Sequence, residues 1–472
     1  MADHTLKNND TFKELFEKFE CLIEVVLLAL TYYVVWRNSY PSYLFHDFQH
    51  RGKFVLMGLY ALILLLVMRM SEGFKYGYYK LTDVLISQWV ALVIVNFITY
   101  WQMSLIANGM IAVKPFVWMT LIEIVIASVC CVMFNFVYEW LHDQKSILMI
   151  YGTENALQLA GKTNARLSGY RVDGTIYVEE NMGTIFDMMA GYDAVLINDV
   201  PPRRRNKILK YCYNNNKEVY IVPKISDIVI RGAEDFTLLD TPIITIKHDG
   251  LTMGQRIVKR TFDIILCIIA LIPASIIILI AAIAIKIEDG GPVFFVQRRV
   301  TRDGEVFGLL KLRSMIVGAD KHGVNPTVEH DARITKVGHI IRPTRIDELP
   351  QLFNILSGKM SIVGPRPERV EHVRQYSEAI PEFVFREKVK AGLTGYAQIY
   401  GRYNTTAYDK IRLDLTYIQN YSFILDIKLV IRTLRVLFQK ESTEGFDEEQ
   451  AEFMRTQQEL QMREQTRTHS KH

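Results

Sequence analysis

The sequence predicts a membrane protein of three folded parts: an N-terminal bundle of four transmembrane helices, a small Rossmann-like α/β module, and a C-terminal α/β domain entered through a fifth apolar run. Three observations predict it. Half of the 472 residues are hydrophobic, and they cluster in runs near the ~20 residues that cross a bilayer. A middle stretch alternates strand-like and helix-like patterns. The last third gathers charged residues around glycine- and proline-bearing turns. The expected boundaries are 1–142, 146–247, 256–440 and a polar tail at 441–472.

Residues 1–17 are polar, so no cleavable signal peptide is expected. Apolar runs follow at 18–36, 53–70, 83–106 and 115–140. Charges inside them are few, and among the acids Glu20, Glu24 and Glu123 stand out. Glu20 and Glu24 sit near a run's end and read as interfacial, whereas Glu123 is the intramembrane acid to test for a specific role. Lys7, Lys13 and Lys18, with Arg69, Lys75 and Lys80, bias the N-terminus inward. Four spans then return the chain to the cytoplasmic side. The net charge of +4 gives no polyanion-binding composition, so no nucleic-acid partner is expected. The five cysteines, mostly in apolar runs, show neither metal-ligand nor disulfide spacing.

In the module, Ser146–Tyr151, Ala194–Ile197 and Glu218–Val222 read as strands, and Pro201-Pro202 opens a helix between the last two. Only Gly152 marks the first turn. The missing glycine fingerprint argues against dinucleotide binding and for a structural or regulatory role. The Arg203–Arg205 run reads as a solvated or membrane-facing surface.

The fifth run, 262–285, contains Pro273 and has basic flanks: Lys259 and Arg260 before it, Lys286 after it. A helix that enters, bends at Pro273 and leaves on the same face fits both features, with Ser275 available to satisfy freed backbone groups. On composition alone a plain span fits equally well.

Residues 287–438 carry the chemistry. In Arg345-Ile-Asp347-Glu348-Leu-Pro350-Gln351 two acids stand ahead of an apolar helical pattern that Gly358 ends. A helix N-terminus there favours negative charge. Adjacent carboxylates point apart, so one can attack while the other holds a metal. The bland reading is an acidic cap. Yet Arg298, Lys311, Arg313, Arg333, Arg342 and Arg366 recur near the turns, Arg366 between two prolines, and guanidiniums around a carboxylate pair suit phosphate handling.

From Arg260 to Phe438 the sequence resembles the bacterial sugar transferase family, the monotopic phosphoglycosyl transferases. The resemblance is carried by Gly291-Pro292-Val293-Phe294-Phe295, Lys311–Met315, Asp347–Leu352, Gly364-Pro365-Arg366-Pro367-Glu368 and Gly392-Leu393-Thr394-Gly395. The parts ahead of it resemble the long polyprenyl-phosphate hexose-1-phosphate transferase branch, of undecaprenyl-phosphate galactose/glucose phosphotransferase type. The resemblance implies transfer of a hexose 1-phosphate from a UDP-sugar to undecaprenyl phosphate with release of UMP. That is the initiating membrane step of capsule, exopolysaccharide or O-antigen synthesis. It implies that Asp347 attacks the β-phosphorus, that Glu348 holds Mg²⁺, and that Lys311, Arg313, Arg342, Arg366 and Arg298 bind phosphates or support the acids. It also implies a re-entrant helix broken at Pro273. A true fifth span would leave the module and the catalytic domain on opposite faces, one of them cut off from nucleotide-sugar. The expected setting is the bacterial inner membrane, with the catalytic domain on the cytoplasmic face. Expected partners are the lipid bilayer, a second copy in a homodimer, and downstream glycosyltransferases. The alternatives are a catalytically silent scaffold of polysaccharide assembly and a regulator built around a ligand of residues 146–247.

Overall fold

The computed structural model describes residues 10–40, 50–142, 144–153, 170–246, 250–319, 331, 333–401 and 405–437. The polar tail expected at 441–472 lies outside the described residues, as do the first nine residues of the polar entry. By contacts the chain divides into Met1–Lys224 and Ile225–His472.

The first unit opens with four long helices: α1 (Asp10–Ser39), α2 (His50–Ser71), α3 (Leu81–Ile106) and α4 (Val113–Leu141). Each packs against the next, and α4 returns against α1. All four, and one later helix, are long and apolar enough to cross a membrane. Their polarity is inverted relative to a water-soluble protein. Leu105, Phe136 and Val125 face outward, while Gln88, Asn96 and Glu123 are buried between helices. Such an arrangement suits a lipid solvent, in which polar side chains must find one another.

Glu123 accepts from Tyr60 Oη at 2.8 Å and from Asn96 Nδ2 at 2.6 Å, joining α2, α3 and α4. Glu20 and Glu24, near one end of their run, are buried within the protein. Helix α1 starts at Asp10, ahead of the apolar run, and the α2–α3 loop folds back so that the Tyr76 hydroxyl meets Glu24.

The α/β part of this unit contains β1 (Lys145–Tyr151), β2 (Tyr170–Tyr177), α5 (Met182–Ala190), β3 (Ala194–Asn198), α6 (Pro202–Asn214) and β4 (Glu218–Ile221). The strands form one parallel sheet in the order β2-β1-β3-β4. Buried on both faces, β1 and β3 read as apolar runs in the sequence. Strand β2 is not legible there, because Arg171, Asp173 and Gly174 interrupt its pattern. Arg204 is not simply solvated: its guanidinium donates to the carbonyls of Val178 and Glu180 and fastens α6 to the chain beyond β2.

The second unit begins with α7 (Ile225–Arg231) and an antiparallel hairpin of β5 (Glu234–Leu238) and β6 (Thr241–Thr245). Then comes α8 (Met253–Asp289), 37 residues long and capped by a Thr252/Gln255 box. It continues through Pro273. The proline removes the donor for the Ile269 carbonyl, yet the Ser275 hydroxyl donates to Ile272 O at 2.8 Å, not to that freed group.

After α8 come an antiparallel pair, β7 (Phe294–Val300) and β8 (Val306–Leu312), then α9 (Lys336–Ile341), α10 (Gln351–Leu356) and β9 (Ser361–Val363). They are followed by α11 (Val370–Ala379), a 3₁₀ stretch at Pro381–Lys388, β10 (Gly392–Thr394), α12 (Tyr396–Tyr400), α13 (Ala407–Gln419) and α14 (Phe423–Leu437). One core joins them. It includes Ile225 and Ile228 of α7, Cys267, Ile278 and Ile285 of α8, Leu309 and Leu312 of β8, Leu352 and Ile355 of α10, and Ile411 and Leu415 of α13.

Helix α8 is tied to this unit at both ends. Near its start, Lys259 Nζ meets Asp426 Oδ2 at 2.6 Å, and Arg260 donates to Ile355 O and Leu356 O. At its finish, Asp289 pairs with Arg313, and Glu288 accepts from the amides of Lys336 and Val337.

Candidate active site

The acid pair sits on a 3₁₀ turn, Ile346–Glu348, separate from α10, which starts at Gln351 with Pro350 as its cap. The turn is forced by Arg345, whose φ of +57° is left-handed. A non-glycine residue there costs roughly 1–3 kcal/mol and persists only where its surroundings fix it. Leu352 and Ile355 anchor α10 in the core. Asn354 then sets the register against the hairpin: its Oδ1 accepts from Leu310 N at 2.9 Å and its Nδ2 donates to Gly308 O at 2.8 Å. That register brings the next strand residue, Lys311, to the acids.

Asp347 and Glu348 are 8% and 9% exposed. Glu348 Oε1 receives Lys311 Nζ at 2.9 Å and Arg366 Nη2 at 3.0 Å, while Arg345 Nη1 lies 3.6 Å from Oε2. Burial pushes the Glu348 pKa up, but Lys311, Arg366 and Arg345 outweigh it and hold the carboxyl well below its usual range. Asp347 goes the other way. Burial raises it to about 6, helped by the Glu348 charge and opposed by Lys311, Arg342 and Arg345. The cations favour ionisation as the sequence suggests, yet desolvation wins at Asp347. A six-residue α10 adds little dipole. Two neighbouring carboxylates thus stand in different states: Glu348 is fixed as an anion, while Asp347 holds no ion pair or hydrogen bond among the described residues.

The structure brings Lys311 and Arg366 onto Glu348, and the charge of Arg342 reaches Asp347. It does not bring Arg313 or Arg298 to the pair. Arg313 is turned to Asp289 at the end of α8. Arg298 is exposed, on the opposite strand face from Lys311. The hairpin pairs Lys311 with Phe295, so by two-residue alternation Gln297 and Arg299 share its face. Arg299 is the residue that the sequence reading missed. Burial first, then the charges of Arg366 and Arg369, lower its pKa to about 10, against the raising effect of Glu368 and Glu348. Arg345 was also missed as a site cation. Strand parity could have found Arg299 had the register been known. Arg333, another of the recurring cations, is paired with Asp331.

Two glycine loops frame Arg366. Gly364 N donates to Thr394 O at 2.8 Å, and Gly392 N to Pro365 O at 2.9 Å. A Cβ on Gly395 would lie 2.0 Å from Gly364 O, and one on Gly364 would lie 2.4 Å from Lys390 O. Only glycine permits this approach.

The pair could hold a hard divalent cation. Mg²⁺ is commonly bound by one or two carboxylates, with substrate phosphates and water completing its shell. Glu348, an anion by its surroundings, fits that donor set. No third His, Cys, Asp or Glu joins it to form a protein cage among the described residues.

A family model described as "Bacterial sugar transferase" matches residues 254–440. The chain is 31% identical over 319 residues to the UDP-N-acetylgalactosamine-undecaprenyl-phosphate N-acetylgalactosaminephosphotransferase of Aeromonas hydrophila, covering 66% of this chain and 71% of that protein. It is 36% identical over 236 residues to the UDP-glucose:undecaprenyl-phosphate glucose-1-phosphate transferase of Escherichia coli K12, covering 49% and 51%. It is 35% identical over 254 residues to the galactosyl transferase CpsE of Streptococcus agalactiae, covering 51% and 53%. The chain thus spans about half the length of the last two relatives.

Proposed function

The chain belongs to the bacterial sugar transferase family, and from that premise we propose that it transfers a hexose 1-phosphate from a UDP-sugar to undecaprenyl phosphate. The products are an undecaprenyl-diphosphate-sugar and UMP, and the step initiates capsule, exopolysaccharide or O-antigen synthesis. One observation carries the reading: a buried carboxylate pair in which Glu348 is locked by Lys311 and Arg366 while Asp347 beside it is unengaged.

In the first half-reaction an Asp347 carboxylate oxygen attacks the β-phosphorus of the donor. The bond from that phosphorus to the oxygen bridging the α-phosphate breaks, and UMP leaves with the electron pair. In the second, a phosphate oxygen of undecaprenyl phosphate attacks the same phosphorus, and the Asp347 carboxylate is regenerated. With a pKa of about 6, Asp347 is about nine-tenths ionised at pH 7. Lys311, Arg342, Arg345 and Arg366 orient the phosphates and offset their charge. Glu348 would hold Mg²⁺, which supplies Lewis-acid neutralisation of the diphosphate.

The setting is the cytoplasmic face of the inner membrane, where a cytosolic donor and an embedded acceptor meet. Helices α1–α4 form a transmembrane bundle, and α8 is re-entrant. Supporting re-entrance, both ends of α8 bond to the same unit, through Lys259 and Arg260 at one end and Glu288 and Asp289 at the other. A crossing helix would separate its ends by the bilayer. A homodimer that hands its product to downstream glycosyltransferases completes the reading.

The test is UMP release by the purified full-length protein with Mg²⁺ and undecaprenyl phosphate over a panel of UDP-sugars. Release with one sugar, abolished by EDTA and by Asp347→Asn, is expected, together with sugar phosphate trapped on the wild-type protein. Release undiminished in Asp347→Asn removes the covalent step.

A further inference from the structure

Arg366 stands between Pro365 and Pro367, which have no N–H, so this loop has few amides of its own to fix it. Its carbonyls are instead gripped one by one. Pro365 O accepts from Gly392 N at 2.9 Å, Arg366 O from Arg386 Nη2 at 2.9 Å, Pro367 O from Arg299 Nη1 at 3.0 Å, and Glu368 O from Val300 N at 3.1 Å. Two of the four grips are guanidiniums, and each is oriented from behind. Gln297 Oε1 receives both Nε and Nη2 of Arg299, at 3.1 and 2.5 Å. Asp414 Oδ2 lies 2.7 Å from Arg386 Nη2, and Arg386 covers the Phe383 ring at 4.9 Å. Arg386 and Asp414 are 5% and 1% exposed, so both are removed from solvent.

We propose that Gln297–Arg299 and Asp414–Arg386 form a clamp of positioning residues. The clamp fixes the carbonyls on either side of the Arg366–Pro367 bond, so that the Arg366 guanidinium stays aimed at the Glu348 side of the site and completes an anion-binding basin for a diphosphate. Charged donors on backbone carbonyls are about twice as strong as neutral ones, and the single Gln297 oxygen that accepts from both Nε and Nη2 of Arg299 removes its freedom to turn away. Arg386 and Asp414 reach Arg366 through its backbone carbonyl, and neither bonds to Glu348. The inference deepens the transferase reading and rests on it for the identity of the anion.

The test is a double-mutant cycle read as affinity for inorganic pyrophosphate, by calorimetry on the full-length protein in detergent. Outer-shell groups typically change affinity by about 10–100-fold, so Gln297→Ala is expected to weaken pyrophosphate about tenfold. Gln297→Glu, which keeps an acceptor oxygen for both Nε and Nη2 of Arg299, should restore it. In an Arg366→Ala background, Gln297→Ala should add less than about a twofold loss, since coupled residues are not additive. Asp414→Asn reaches the same loop from the other side and is read in the same cycle, so a folding defect in one variant does not decide the outcome. Equal losses in both backgrounds, undiminished binding in Gln297→Ala, or no pyrophosphate binding by the wild type would each overturn the clamp. UMP release is measured alongside. Its absence while the cycle holds would remove the transferase reading and leave the clamp standing.

Discussion

Replacing Lys311 with methionine keeps most of the side-chain volume and deletes the ammonium that lies 2.9 Å from Glu348. Among the opposing charges, Lys311 is the first to lower Asp347, whose pKa is about 6. An opposite charge within reach shifts a carboxyl by roughly 1–3 units. Arg342 and Arg345 remain, so the lower end applies, and Asp347 should rise to about 7. In the wild type about half of Asp347 is ionised at pH 6; in the variant about a tenth is, a loss of roughly fivefold in the attacking form. At pH 7 the same shift costs about twofold, and by pH 8.5 almost nothing. On the proposed mechanism, any loss that persists at pH 8.5 is the missing phosphate contact. The assay is the initial rate of sugar-phosphate trapping on the protein from pH 5 to 9. Glu348→Gln removes a charge that raises Asp347, so the same limb should move toward acid. A limb that stays near pH 6 in Lys311→Met, with a uniform loss across the range, would refute the electrostatic argument and leave Lys311 as a phosphate ligand only.

Gly395→Ala forces a Cβ to 2.0 Å from Gly364 O, and the backbone shift should cost at least about 1–3 kcal/mol, visible as a lower thermal transition together with weaker pyrophosphate binding. Glu368 is held below its ordinary value of 4.5: burial raises it, but the His372 contact and the charges of Lys410, Arg386 and Arg299 outweigh that. Its stabilisation is therefore complete above pH 4.5 and lost as pH falls toward the depressed value. Glu368→Gln should cost about 1–3 kcal/mol at pH 7, and the gap between the denaturation midpoints of variant and wild type should narrow below pH 4.5. Glu123→Ala strips Tyr60 and Asn96 of their shared acceptor. It should cost about 1 kcal/mol in detergent unfolding while leaving UMP release per folded molecule unchanged.

Hydropathy is a local property, and so the places of the apolar helices are legible in the chain, although α1 and α8 begin at Asp10 and Met253, well ahead of their apolar runs. The runs at 83–106 and 115–140 become helices Leu81–Ile106 and Val113–Leu141. The acid pair is legible as well, because Asp347 and Glu348 are adjacent and Pro350, two residues on, restricts the local backbone. The partners of the cations are not legible. Arg298 and Arg299 are neighbours in sequence, but a strand points them to opposite faces, and only the pairing of Lys311 with Phe295 decides which one faces the acids. Arg313 lies two residues from Lys311, yet the end of α8 supplies Asp289 and claims it. Nothing local to Glu24 announces its partner Tyr76, which reaches it from the folded-back loop. Local periodicity and turn chemistry thus determine where helices run and which motifs exist. Burial and the choice of ion-pair partner depend on groups far apart in the chain. For that reason only the tertiary structure divides the two acids into a fixed anion at Glu348 and a raised, unengaged carboxyl at Asp347.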